Sequence, residues 1–419
     1  MKHNSIGMFL LFPFVLCAFS AFSQHQNPSR EIASYSFEIY KQLHQYPELG
    51  KREFKTAQLI KSELQKIGYT DFYDVPDLPT CIIAALDTKN QGPAIAFRAD
   101  IDARPGKENT GLPYSSKVDT VTHSCGHDAH TSILLGTAKY LYSQKETLKG
   151  KIYFIFQPAE ETPGGAEDIV GSGILTKLKI KNIYALHTSP KLPVGTVIAS
   201  PGYFMAGSNL FTVQIAGKGS HAATPFEGSD IPLLTSQMVE LISAIPSRRM
   251  NVAMRPCVIS VTMIECGSST ALNILPTTAV IKGTIRSFEQ VDTSLPGQAS
   301  IKEILIKEIT ALCALRGATT KIEITKAAPP TYNNEKLFNA MIPELSKSFS
   351  GTFDLSPVKW MYAEDFSYYS DVVPCFYFGL GISKDKLGNE NTHTNEFAIH
   401  PDALIFGIEL FCDIAMINK

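Results

Sequence analysis

Neither sign of charge dominates this chain: 38 lysines and arginines stand against 40 aspartates and glutamates over 419 residues. The near-neutral sum leaves no basic footprint for nucleic acid. Apolar runs are scarce as well. The one at the N-terminus, from about Ile6 to Phe19 behind Lys2, is short for a membrane span and no stop-transfer pattern follows it. Ala21 and Ser23 then place small residues at the −3 and −1 positions of a signal-peptidase site. Residues 1–23 therefore read as a signal peptide, and the mature protein as exported, periplasmic or secreted, with no stable membrane span after cleavage. No disulfide framework is visible either: beyond Cys17 the cysteines are scattered and lie mostly in apolar segments, which suits buried small hydrophobes. A Gly-x-Ser-x-Gly elbow is missing, which disfavours a serine hydrolase. No internal repeat or low-complexity tract breaks the chain.

A hydrophobic content of 44% over this length supports a substantial core and two domains. The periodicity predicts helices over Ser29–Leu49 and Glu53–Gly68. Cys81–Leu86, Ala94–Phe97, Lys151–Phe156 and Ile183–Leu186 are short apolar runs that read as buried strands. With helices at His130–Ser143 and Ala166–Leu175, this is an α/β layered domain whose chemistry belongs at the C-terminal ends of its strands. From about Ala206 the pattern changes. Strands at Phe211–Ala216, Val258–Met263, Ala279–Phe288 and Lys321–Thr325 and helices at Pro232–Ile245 and Ile301–Arg316 give a β-α-β-β-α-β order, the ferredoxin-like sandwich, small enough for an inserted lid. Pro329-Pro330 marks the return to the first domain, which closes with helices near Glu335–Ser348 and Asp402–Ile417. The expected organisation is 24–205 and 328–419 for the catalytic domain and 206–327 for the lid.

Chemistry concentrates in His123-Ser124-Cys125-Gly126-His127-Asp128-Ala129-His130. A soft thiolate and several imidazoles within eight residues make a first-row metal site the leading reading. Gln157-Pro158-Ala159-Glu160-Glu161, His187 and His393 follow downstream. A thiolate, three imidazoles and a carboxylate suit Zn, Mn or Co better than Mg or Ca. Taken alone, Glu160-Glu161 reads as a solvated helix start and His187 as a structural histidine. Asp100 and Asp128 are placed as acceptors that fix an imidazole tautomer. His123, His130 and His44 read as structural.

Several segments, in order, carry a resemblance: Leu43-His44-Gln45-Tyr46-Pro47-Glu48-Leu49, Arg98-Ala99-Asp100-Ile101-Asp102, the Cys125 and Glu160 motifs, Gly217-Lys218-Gly219-Ser220-His221, Asn273-Ile274-Leu275-Pro276, Gly283-Thr284-Ile285-Arg286 and Glu364-Asp365-Phe366. Together they resemble the two-metal aminoacylase and carboxypeptidase peptidases, family M20, in the amidohydrolase branch with hippurate hydrolases, auxin-conjugate (IAA-amino acid) hydrolases and N-acetyldiaminopimelate deacetylases. The resemblance implies a zinc-peptidase-like α/β catalytic domain with the ferredoxin-like insert serving as lid and dimerisation domain. It implies two divalent ions per subunit (Mn, Zn or Co) held by Cys125, His127, Glu161, His187 and His393. Glu160 is then the general base that activates water for attack on the amide of an N-acyl amino acid. His221 is implied to reach an active site, commonly the partner subunit's in a homodimer, and stabilise the oxyanion. Asn273 and Arg286 resemble the groups that grip the substrate carboxylate, a task that suits a guanidinium fork. A carboxypeptidase-like dipeptidase is the alternative within the family, and a non-catalytic metal- or solute-binding protein the alternative outside it. Three positions depart from the pattern: Arg104 stands where the branch usually has Leu, Phe226 replaces a usual His, and Asn395 replaces a usual Pro. Arg104 and Phe226 lie in motifs near the cleft and bear on substrate preference.

Overall fold

In the first sheet, side chains alternate between two buried faces, which is why its strands read as unbroken apolar runs. The computed structural model describes residues 28–418; the expected signal peptide lies outside them. The chain opens with helices α1 (Arg30–Gln45) and α2 (Phe54–Ile67), followed by strands β1 (Asp71–Tyr73), β2 (Ile82–Asp87) and β3 (Ala94–Asp100). Next come α3 (His127–Ser143), β4 (Lys151–Gln157), the short α4 (Gly165–Gly171) and α5 (Ile174–Lys177), β5 (Asn182–Pro193) and β6 (Thr196–Ile198). After a second sheet the chain returns with α8 (Glu335–Ser348), β11 (Thr352–Asp354), β12 (Cys375–Ser383) and α9 (Ala403–Ile417). The eight strands run in the order β1-β2-β4-β3-β5-β12-β6-β11, with β4, β3, β5 and β12 mutually parallel. Phe97, Phe154, Phe156 and Tyr184 pack under α1, α2, α3, α8 and α9 on one face. Ala96, Tyr153, Ile155, Ile183 and Ala185 pack under α4 and α5 on the other. The C-terminal ends of the parallel strands open between these layers, where α/β sheets bind ligands.

The second sheet contains β7 (Gly207–Ala216), β8 (Cys257–Cys266), β9 (Thr278–Ser287) and β10 (Thr319–Ala328), with α6 (Ile231–Arg249) after β7 and α7 (Ile301–Leu315) after β9. Its strand order is β8-β9-β7-β10, all antiparallel, so β-α-β-β-α-β is the observed connectivity. Val213, Ile215, Ile281 and Ile285 turn to one face and meet Leu234, Met238, Leu305 and Ile309 of the two helices in a core of their own.

Several boundaries differ from the sequence reading. α1 stops at Gln45 rather than Leu49 because Tyr46 precedes Pro47, whose ring disfavours a helical predecessor. The expected helix 166–175 breaks at Gly171-Ser172-Gly173, where Gly173 takes φ +71°. α3 begins at His127, three residues earlier than expected, so His127 stands in the first turn instead of preceding the helix. His187 lies within a strand that continues to Pro193 rather than after one. β12 was not foreseen at all: Gly379 and Gly381 interrupt its apolar pattern. A Cβ would fall 2.5 Å from Trp360 at Gly379 and 2.1 Å from the Pro193 carbonyl at Gly381. Among the described residues no helix is long and apolar enough to cross a membrane.

The crossing of α3 and α9 rests on a reciprocal pair of glycines. A Cβ at Gly136 would lie 2.2 Å from Ser36 Oγ and 2.7 Å from Ile408 Cδ1, and one at Gly407 would lie 2.6 Å from Ile133 Cδ1. Helix propensity alone makes alanine better at both sites by about 1 kcal/mol. Overpacking works against it with about 1–3 kcal/mol. Gly136→Ala and Gly407→Ala are each expected to lower the unfolding midpoint in a thermal melt, and a rise in either would contradict this packing.

Candidate metal centre and active site

Gly126 sets the site's backbone. It takes φ +93° at the N-terminus of α3, and a Cβ there would fall 2.4 Å from Thr188 Oγ1, so the loop carrying Cys125 lies tight against β5. Cys125 Sγ thereby comes within 3.4 Å of His187 Nε2 and 3.3 Å of His393 Nε2. Glu161 Oε1 lies 3.2 Å from His393 Nε2, and Glu160 Oε2 lies 3.9 Å from His127 Nε2. Cys125, His127 and His187 form one set of donor atoms within 4.8 Å of one another; Cys125, Glu161 and His393 form a second, and His127, Glu160 and Glu161 a third. Four separate connections converge here: the turn before α3, the loop after β4, the strand β5, and the loop between β12 and α9.

The imidazoles are held by acceptors at their far nitrogens. His127 Nδ1 lies 3.0 Å from the Asp102 carbonyl and 3.2 Å from Asp102 Oδ1, while its Nε2 is buried without a hydrogen-bond partner. His187 Nδ1 donates to the Thr188 carbonyl at 2.8 Å, leaving Nε2 as the lone-pair nitrogen toward Cys125. These are the tautomers metal ligation needs. His130 is different: its Nδ1 donates to Asp100 at 2.6 Å and its Nε2 accepts the Thr188 N–H at 2.9 Å, so neither nitrogen is left for a metal.

Asp100 and Asp128 each hold an imidazole, as read from the sequence, but neither imidazole is a candidate ligand. Asp100 fixes His130, and Asp128 fixes His44 at 2.6 Å, a buried histidine whose other nitrogen lies 3.2 Å from Glu108. The residue that orients a candidate ligand is Asp102, which the sequence reading quoted in a motif without a role. Its Oδ1 also accepts the Glu160 N–H at 3.1 Å and its Oδ2 the Glu161 N–H at 3.0 Å. Ala159, at φ +60°, turns those two amides toward it, and Glu53 accepts the Ala159 N–H at 2.9 Å. Only the alternation of acids around Ile101 hinted at this division.

Buried negative charge is in excess. Glu160, Glu364 and Asp365 bring their carboxylates together. Arg98, fully buried, pairs with Asp100 at 2.7 Å, Glu364 at 3.0 Å and Asp365 at 2.7 Å. Burial, then the Glu364, Glu161 and Asp365 charges, push the Glu160 carboxyl well above the usual carboxylate range. Burial and the Glu161 charge likewise hold the Cys125 thiol well above its ordinary value, and burial lowers His187 to about 4. Protein groups alone thus leave a protonated Cys125 thiol, a neutral His187, crowded carboxylates, and a His127 imidazole that, against the lowering effect of burial, the Asp100 charge holds well above its ordinary value. Divalent cations reverse that balance, since their charge favours thiolate and carboxylate together. The donor set fits a metal.

His221 is in none of these donor groups among the described residues. His221 lies on a two-residue strand, Ser220–His221, paired with Ile274–Leu275; its ring is exposed, and Nδ1 accepts the Ala223 N–H at 3.1 Å. Asn273 is exposed beside that strand, and Arg286 is half-buried on β9, across from Ser208 and Val258. Of the departures, Phe226 is exposed, and the Asn395 carbonyl accepts the Asn109 N–H at 2.7 Å.

Residues 96–417 match the profile of Peptidase family M20/M25/M40. The chain belongs to this family. It is 33% identical over 386 residues to Thermostable carboxypeptidase 1 of Saccharolobus solfataricus, covering 91% of this chain and 95% of that protein. It is also 33% identical over 377 residues to N-acetylcysteine deacetylase of Bacillus subtilis, covering 90% and 94%. An IAA-amino acid hydrolase of Arabidopsis thaliana is 31% identical over 392 residues, covering 93% and 86%. Among solved structures, the Bacillus subtilis YXEP protein, described as a dinuclear metal-binding peptidase, superposes with a TM-score of 0.80 at 29% identity, covering 93% of this chain and 98% of that one. The protein is a metal-dependent amidohydrolase of the M20 family.

Within that family assignment, Asp102 has a checkable role. Asp102→Asn keeps the volume but loses the charge that orients His127 and fastens both glutamate amides. Metal affinity is expected to fall about 10–100-fold, read as metal content after dialysis against graded chelator. Retention equal to the parent's would remove Asp102 from the site's support.

Proposed function

We propose that this amidohydrolase cleaves N-acyl amino acids or related small conjugates. The observation that carries the reading is the adjacency of Glu160 and Glu161 on one Asp102-fastened turn, with Glu161 beside Cys125 and His393 and Glu160 beside Glu364 and Asp365. Two neighbouring carboxylates in different surroundings can divide ligation from proton transfer. Cys125, His127, Glu161, His187 and His393 would hold two divalent ions of Mn, Zn or Co, which when bound act as Lewis acids and acidify water. Glu160 takes the proton of the attacking water and hands it to the leaving amine. Its crowding by Glu364 and Asp365 favours a carboxyl able to keep that proton between the two steps. Asn273 and Arg286 grip the substrate's α-carboxylate, where a half-buried guanidinium, desolvated and without a hydrogen bond to any described residue, suits a bidentate partner. His221 stabilises the oxyanion. Because its ring is exposed on the lid, we propose that it serves the neighbouring site of a homodimer paired through the lids. Export by residues 1–23 would place this activity in the periplasm or outside the cell.

The named relatives include both deacetylases and a carboxypeptidase, so dipeptide cleavage is the second reading. A panel of N-acetyl, N-benzoyl and indole-acetyl amino acids beside dipeptides, scored by amine release, separates them. N-acyl amino acids are expected to exceed dipeptides in kcat/KM, and the reverse order would reject the proposal. Glu160→Gln is expected to keep its metal and lose about 10²–10⁴-fold in kcat. Glu161→Gln should lose metal instead, and equal metal loss in both would defeat the division of roles.

A further inference from the structure

Arg104 is a guanidinium beside the proposed metal ligands, ion-paired to Glu161 at long range but with no hydrogen bond to any described residue. It lies in a two-residue strand, Arg104–Pro105, paired with Val121–Thr122 just before Cys125. Its nearest charge is Glu161, whose Oε1 is 3.6 Å from Arg104 Nε, too long for a hydrogen bond. The NH1 nitrogen is buried with no hydrogen-bond partner. The two buried arginines, Arg98 and Arg255, are treated differently. Arg98 donates to Gln157, Asp100 and Asp365, and Arg255 donates to Glu289, Gln298 and the Ala299 carbonyl. Desolvated N–H donors left unpaired are costly, and a planar fork of five donors matches a carboxylate. The side chain keeps 28% of its surface open to solvent, so a ligand can reach it.

We infer that Arg104 is a specificity-determining anion seat in the cleft, and that the substrates are N-acyl amino acids whose acyl group itself ends in a carboxylate, as a succinyl group does. The inference rests on the N-acyl amino acid reading above and deepens it. Two carboxylates then meet two guanidiniums. Arg286, on the lid sheet, takes the α-carboxylate. Arg104, on the sheet that carries the metal ligands, takes the acyl end. Glu161 does not compete for the fork once it is committed to a metal ion, because its charge is then shared with the cation. A neutral acyl chain would bury the same donors and leave them unpaired, so the site discriminates against it.

The test compares N-succinyl, N-succinamoyl and N-acetyl derivatives of one amino acid with the metal-loaded protein. The succinamoyl group has the shape of the succinyl group without its charge. The parent is expected to favour succinyl over succinamoyl by about 10-fold or more in kcat/KM. Arg104→Leu should bring that ratio near unity, and Arg104→Lys should keep part of it. Calorimetric titration with succinate and with butyrate provides a readout independent of turnover: succinate should bind the parent more tightly, and the difference should vanish in Arg104→Leu. A succinyl-to-succinamoyl ratio of unity in the parent, or a ratio unmoved by Arg104→Leu, would overturn the inference. Greater metal retention in Arg104→Leu with that ratio unmoved would assign Arg104 as a counter-ion of Glu161 only, which also overturns it. If the parent hydrolyses none of the three substrates, the functional reading fails, while the succinate titration still decides whether Arg104 seats an anion.

Discussion

One carboxylate ties the site together. Asp102 stands just beyond the end of β3 and accepts from three places at once: the ring of His127, the amide of Glu160 and the amide of Glu161. The ring belongs to one structural unit and the two amides to another, so the first turn of α3 and the loop after β4 cannot move independently. The strained φ of Ala159 is tolerable because Glu53 and Asp102 together over-determine the turn. A metal site needs its donors placed before the ion arrives, and the hydrogen bonds of Asp102 supply that placement.

Around this anchor the charges are deliberately unbalanced. Arg98 is spent on Asp100, Glu364 and Asp365, and as counter-charges Glu160 and Glu161 face only the imidazoles of His127 and His393, with Arg104 at their margin, among the described residues. In a buried setting that excess demands a cation, and the tautomers of His127 and His187 show which nitrogens would meet it. The sheet supports the arrangement from below. Its parallel strands place Asp100, Gln157 and His187 at one rim, and the glycine-lined crossing of α3 and α9 sets the depth of the helix that presents His127.

Much of this was legible in the amino-acid order. The donors announced themselves by type and spacing, and the structure gathers Cys125, His127, Glu160, Glu161, His187 and His393 at one place. The β-α-β-β-α-β run of the second sheet was legible because its strands alternate and its helices carry clear apolar stripes. What stayed hidden was whatever depends on close approach or on geometry within a turn. Gly379 and Gly381 disguised β12 because a missing side chain reads as a turn, whereas here it admits Trp360 and the Pro193 carbonyl. His127 was read as preceding its helix because a polar, histidine-rich start carries no apolar period. Asp102 and Asp100 are two residues apart on the same segment, and no pattern tells which one serves a ligand and which serves His130. The roles of Arg98, Glu364 and Asp365 depend on contacts between residues more than 260 positions apart, which periodicity cannot reveal.

The central claim is that this pre-set, charge-deficient cluster is a two-metal centre. Anomalous-difference density from crystals of the metal-loaded protein tests it most directly. The account predicts two peaks per chain, both among Cys125, His127, Glu161, His187 and His393, with neither at His130. A single peak, or peaks ligated elsewhere with Cys125 and His127 Nε2 untouched, would contradict it.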